Sequence, residues 1–310
     1  MSEVRNFLLK RRLLSHPVHA SELEIAFNDS GAALRRRSSH ERGIPIRQAF
    51  FDKLMRWHQF PLDPLYRMTP EELLPLLNAA LRLIGKTVII YVEDGDAITI
   101  VSTQYGHIAD EMLLDRIGER ELWEVTRTDH FMRVFSEKRK QIEVEPGDCV
   151  GVGASIVNSE TGFRALSTGW YLLRLVCSNG AVVPLSLHSE QIYHTKVDAT
   201  QYRIDTALGR LSRARAQIEK VAHLLNESLQ KKLPRRRDVE QVLSPILGFV
   251  DTRKLIDPHY ANESARLYDL FNAVTQEAQN RAPRVQLAME EAAGLWLWGP
   301  AGDTKAEATT

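Results

Sequence analysis

The chain is poor in the features that usually mark exported proteins and common enzymes. It holds only two cysteines, Cys149 and Cys177. Two thiols on separate predicted strands make no disulfide framework and read as reduced, buried side chains. No stretch approaches the roughly 18 uninterrupted apolar residues that suit a bilayer crossing. The start, "MSEVRNFLLKRRLLSHPV", has a short apolar patch followed by basic residues in place of a long apolar signal region. A cytoplasmic protein with no membrane contact is expected.

Catalytic signatures are equally sparse. There is no Gly-x-Ser-x-Gly elbow, no H-E-x-x-H and no C-x-x-C, which removes the simplest hydrolase and zinc readings. "GVGAS" at 151–155 has glycines but neither the lysine nor the following helix of a phosphate loop, so it reads as a strand with a bulge or a close approach. His188 and His194 have a conceivable metal spacing without a third ligand beside them. Cys177 follows an apolar run that would raise its thiol pKa, which favours a structural role over a nucleophilic one. No cofactor is expected.

Net charge is also missing, because 40 Lys and Arg balance 40 Asp and Glu. The balance is not local. Residues 1–60 and 203–237 are basic, with eleven cations against six acids and ten against three, whereas 61–150 and 238–310 are acidic. Basic blocks hold polyanions through phosphate contacts and counterion release. Acidic blocks are solvated, or they dock against the basic blocks of a neighbouring copy.

The patterns that are present describe an α+β protein: an antiparallel, hairpin-rich sheet packed on a long helix, followed by C-terminal helices. Residues 1–60 read as an irregular basic arm with one short helix, "IRQAFFDKLMRW". In "TPEELLPLLNAALRLIG" Thr69 is the N-cap, Pro70 occupies the first helical position, and Glu71 and Glu72 suit the positive dipole end. Two β-branched runs meet at Asp94-Gly95, a strong hairpin signal. Residues 122–195 are rich in strands, and "GWYLLRLVCSNG" is apolar enough for a central one. From about 198 to 232 a helical stripe that includes Ile204, Leu208, Leu211, Ile218 and Leu225 leaves a basic ridge of Arg203, Arg210, Arg213 and Lys220 beside it. A single core domain over 61–296 and a disordered tail over 297–310 complete the expected organisation.

The basic residues give the leading functional reading. Lys138, Arg139 and Lys140 fall on a predicted hairpin tip. Arg127, Arg133, Arg164 and Arg174 lie on neighbouring strands among Phe131, Phe135, Phe163, Trp170 and Tyr171. Arginines interleaved with aromatic rings suit a single strand, whose phosphates need charge and whose bases need stacking faces. The expected nucleic-acid-binding set is therefore Arg133, Lys138, Arg139, Lys140, Arg164, Arg174, Arg210, Arg213 and Lys220, which would form one trough. The expected work is binding of single-stranded DNA, with annealing or recombination and no hydrolysis. Two alternatives are a metal-dependent nuclease on Glu143, Glu145 and Asp148 with Lys140 nearby, and a protein-binding factor such as an inhibitor of host defence. The triplets Arg35–Arg37 and Arg235–Arg237 serve phosphate contact or solubility.

One segment carries a resemblance. "ASIVNSETGFRALSTGWYLLRLVCSNGAVV", together with "LFNAVTQEAQNRAPRVQLAMEEAAG", resembles the phage- and plasmid-encoded family classed as domain of unknown function 932. The shared features are a polar Asn-Ser corner, a strand closing on Arg174, Cys177, Asn179 and Gly180, and a late helix with Asn272, Ala273 and Thr275. The likeness spans about residues 70–296 and implies a mobile-element setting without assigning an activity. The strands followed by a long helix are also similar in architecture to ring-forming single-strand annealing proteins of the Rad52 type. That similarity implies a homo-oligomer, in which basic and acidic blocks alternate around the assembly.

Overall fold

The structure is a computed structural model. It describes residues 12–28, 31–39, 43–60, 65, 67–117, 123–136, 140–145, 148–174, 182–196, 200–213, 218–281 and 283–298. The expected α+β class is what these residues form. Among them no helix is long and apolar enough to cross a membrane.

The described residues between 12 and 60 form strands and a helix, which corrects the expectation of an irregular arm there. Strands β1 (Leu13–His19), β2 (Leu23–Asn28), β3 (Gly31–Arg36) and β4 (Ile44–Pro45) precede helix α1 (Gln48–Trp57). Helix α2 (Pro70–Ile84) then leads to the hairpin β5 (Thr87–Glu93) and β6 (Asp96–Ser102). The sheet order is β1-β5-β6, with β2-β3-β4 beside it, so the first strand pairs antiparallel with one that lies seventy-odd residues later. Phe50, Leu54 and Met55 of α1 and Leu77 and Leu81 of α2 close over Leu23, Val88, Ile90 and Ile100 in one core. Asn78 ties the layers together, because its side-chain amide bonds the backbone N–H and C=O of Ile25, each at 2.8 Å.

Two local signals form as their chemistry requires. Thr69 Oγ1 accepts from Glu72 N, Glu72 Oε2 accepts from Thr69 N at 2.8 Å, and Gly85 ends α2 at φ +60. The β5–β6 turn has Asp94 at φ +52 and Gly95 at φ +97, the left-handed pair that a two-residue hairpin needs.

The central sheet has six strands. After α3 (Asp110–Ile117) come β7 (Trp123–Arg127), β8 (Met132–Ser136), β9 (Lys140–Glu145), β10 (Asp148–Asn158), β11 (Leu166–Arg174) and β12 (Val182–Ile192). Their order is β12-β11-β10-β8-β7, with β9 also on β10. β10 organises the sheet: its Val150–Val157 stretch pairs with β11, while β9 meets residues 148–152 and β8 meets 155–158. Gly153 is a close approach, as one of the two sequence readings held. A Cβ there would lie 2.6 Å from Cε1 of Tyr171, whose hydroxyl donates to Ser136 O at 2.6 Å.

The helix expected over 198–232 is described as α4 (Thr200–Arg213) and α5 (Ile218–Gln230); residues 214–217 lie outside the described set. Then follow α6 (Arg236–Leu247), α7 (Phe249–Tyr260), α8 (Leu267–Ala278) and α9 (Pro283–Trp298). Ile204 of α4 packs with α3 residues Leu113 and Leu114 against Ile156 and Leu166. Helices α5 to α9 make a second core with Val144, Val150, Val152 and Leu172. The expected disordered tail is outside the described residues except for its first two positions.

Candidate ligand cleft at the Asn158–Arg164 corner

The chain from Asn158 to Phe163 turns out of β10 toward β11 and is buried almost throughout. Buried polar groups need partners, and here several elements supply them. Asn158 Nδ2 donates to Ile108 O at 2.9 Å and to Asp110 Oδ1 at 2.8 Å. Ser159 Oγ donates to His130 O at 2.6 Å and accepts from Phe163 N at 2.9 Å. Thr99 Oγ1 donates to Thr161 O at 2.7 Å, and Tyr105 OH donates to Ser159 O at 2.9 Å. From α1, Arg56 Nη1 donates to Phe163 O at 2.7 Å and Lys53 Nζ donates to Gly162 O. The corner thus joins the amino-terminal layers to the central sheet.

A charged core lies behind it. Arg127 of β7 reaches Glu93 at 2.8 Å, Asp110 at 3.3 Å and Glu160 at 3.4 Å, and Arg47 reaches Glu93 at 2.6 Å. A guanidinium among three buried carboxylates makes this an internally matched network. Among the described residues no group of three His, Cys, Asp or Glu is arranged to hold a metal ion. Next to the network the buried His194 stacks on Tyr105, with ring centroids 5.1 Å apart. Burial pushes its pKa down to about 4, and burial also pushes the Tyr105 phenol up.

On its other side the corner borders an open cleft of about 420 Å³. One wall is Arg56 of α1 with His130 and Phe131 from the β7–β8 turn, and the floor is Phe163, Arg164 and Ser167. Gln191 and Tyr193, at and just beyond the end of β12, face Leu287, Ala288 and Glu291 of α9. His130 Nε2 donates to Asp52 Oδ2 at 2.7 Å, and Gln48 Nε2 donates to Asp52 Oδ1 at 2.8 Å, which fixes the imidazole in place. Its ring lies 4.6 Å from that of Phe163. Lys53 Nζ sits 5.6 Å from the Phe163 centroid, and its pKa falls to about 8, chiefly through burial and then through the Arg56 charge. Arg56 and Arg164, an oriented imidazole and a largely exposed Tyr193 therefore surround a space of nucleotide size. Such a space can take an anionic group on the guanidinium groups and a flat ring against the exposed Tyr193.

The nine residues expected to form a basic trough have different fates. Arg133 is buried on β8, where Nη2 donates to Glu290 at 2.8 Å, and it is no exposed grip. Arg164 lines the cleft but is paired with Glu291. Lys138 and Arg139 lie outside the described residues. Lys140 begins β9 opposite Val152 and Arg174 ends β11 opposite Val150, whereas Arg133 stands opposite Val157. Five residues of strand, roughly 17 Å, separate Val152 from Val157 along β10, and the side chains of Lys140 and Arg174 are outside the described set. Arg210 and Arg213 are in the last turn of α4 and Lys220 is in the first turn of α5; their side chains are outside the described set.

The arginine triplets are partly matched as well. Arg35 pairs with Glu24 at 2.7 Å, Arg235 with Asp238 at 2.9 Å and Arg236 with Asp257 at 2.5 Å. Glu143 is exposed on β9, and Glu145 stands opposite Asp148 in the β9–β10 register, with both side chains outside the described set. Cys149 is a free, half-buried thiol and Cys177 lies outside the described residues. The sequence reading missed Arg56, His130 and Tyr193 as site residues. A signal existed for Arg56, because an i, i+3 spacing in the "IRQAFFDKLMRW" helix sets it on one face with Lys53, which holds the corner through Gly162 O. No family model, curated protein or solved structure matches the chain.

Proposed function

We propose that this protein binds single-stranded nucleic acid and holds a nucleotide unit in the cleft beside the Asn158–Arg164 corner. The observation that carries this reading is the meeting of Arg56 and Arg164 with Phe163 and Tyr193 around one open space. Backbone phosphate needs guanidinium groups, while any base can stack on an aromatic face, so such a site tolerates sequence and favours unpaired strands. The corner is hydrogen-bonded on all sides, which supplies a rigid support and limits the ordering cost of binding. A homo-oligomer of phage or other mobile-element origin, acting in annealing or recombination of DNA, is the biological setting we propose. The uneven charge blocks support self-association, since acidic and basic segments of neighbouring copies attract each other.

The test is fluorescence anisotropy with a labelled oligothymidylate over a range of salt. Wild-type protein should bind, with an affinity that falls as salt rises. Arg56→Gln and Tyr193→Ala should each weaken binding about tenfold, the scale set by a phosphate contact or a stacked base. Unchanged affinity in both variants would remove the cleft from the reading.

A further inference from the structure

Two neighbouring carboxylates on α9 hold two of the arginines expected to grip a strand, and they hold them differently. Glu290 is fully buried. It accepts from Arg133 at 2.8 Å, from Gln286 at 2.9 Å and from Gln279 at 3.3 Å, so it is locked into the protein core. Glu291 has a side chain 41 % exposed, lines the cleft and contacts Arg164 Nη2. The other terminal nitrogen of Arg164, Nη1, is buried with no acceptor. A buried donor without an acceptor is costly, and one carboxylate leaves this guanidinium half satisfied.

We infer that Arg164 is a phosphate subsite and that Glu291 is its resident competitor, which a nucleotide phosphate displaces by a side-chain rotation. The inference rests on the nucleic-acid reading of the cleft. A phosphate offers several acceptor oxygens to the planar fork of an arginine, enough to satisfy Nη1 and Nη2 together. The pair it displaces is partly exposed and hence weak, so the exchange costs little. Glu290 keeps α9 in place through Arg133 while this happens, and the helix itself need not move. The arrangement sets a threshold: weakly charged ligands leave Glu291 on Arg164, whereas a phosphate takes its place.

The experiment is anisotropy with labelled oligothymidylate at low salt on the full chain. Glu291→Gln should bind about twofold to fivefold tighter than wild type, the range that the strength of an exposed ion pair allows. The gain should vanish in Arg164→Gln/Glu291→Gln compared with Arg164→Gln alone. Arg164→Lys, which keeps the charge and loses the fork, serves as a second background and should abolish the gain too. Melting curves identify any variant that has lost its fold. Equal affinity of Glu291→Gln and wild type overturns the inference, as does a gain that survives in both Arg164 backgrounds. If neither wild type nor Glu291→Gln binds, the nucleic-acid reading itself fails, a result distinct from binding without a gain.

Discussion

Acid should loosen the corner through His194. The imidazole is buried and stacks on Tyr105, so its protonated form is disfavoured in the folded chain. The folded pKa is about 4 against 6.5 for the free side chain, with burial as the main cause, partly offset by a backbone hydrogen bond to Gly106 and the Glu160 charge, and with His107 and Lys53 adding to the lowering. Because the folded value is depressed, the unfolded chain binds the proton first. The stabilisation is complete above about pH 7 and drains away as pH falls through 6.5 toward 4. One pKa unit is worth about 1.4 kcal/mol, so the full loss approaches about 3 kcal/mol and the loss by pH 5 is about 2 kcal/mol. Carboxylates also titrate in this range, so the comparison variant is His194→Phe, which keeps a ring on Tyr105 and removes the titration. In urea unfolding at pH 7.5 and 5, wild type should lose about 2 kcal/mol more than His194→Phe. Identical losses in the two proteins would refute the reasoning.

Other consequences follow from the same contacts. Glu290→Ala leaves the Arg133 guanidinium buried without its carboxylate and should cost about 3–5 kcal/mol in urea unfolding; a change under about 1 kcal/mol would mean that Arg133 finds solvent. Gly153→Ala drives a methyl into the Tyr171 ring, whose hydroxyl is tied to Ser136 O, and should cost about 1–3 kcal/mol. Ser159→Ala removes the acceptor of Phe163 N and one of the donors to His130 O, so a stability loss of about 1–3 kcal/mol is expected.

What was legible in the sequence was local chemistry. Thr69, Pro70 and Glu72 define a helix start within four residues, and Asp94-Gly95 defines a hairpin within two, so neither depends on distant parts of the chain. The amino-terminal strands were not legible, because β1 gains its partner only when β5 arrives and its own pattern is short and mostly exposed. Two members of the basic set, Arg133 and Arg164, are matched by acids that lie far away in sequence. Counting charge by segment treats an arginine as available, yet the partner of Arg133 is 157 residues away in sequence. Arg164 is likewise met by Glu291 from the last described helix. The Asn158-Ser159 corner stood out in the sequence as polar, but its burial and its place beside the cleft depend on α1, the β7–β8 turn and α9 converging there.

Photochemical crosslinking tests the central claim most directly. A single-stranded oligonucleotide carrying 5-iodouracil is bound, irradiated and digested, and the attached peptides are mapped. The account predicts adducts on Tyr193, Phe163 or His130, lost when excess unlabelled single strand competes. Adducts confined to other surfaces, such as the exposed Phe249 on α7, would contradict it.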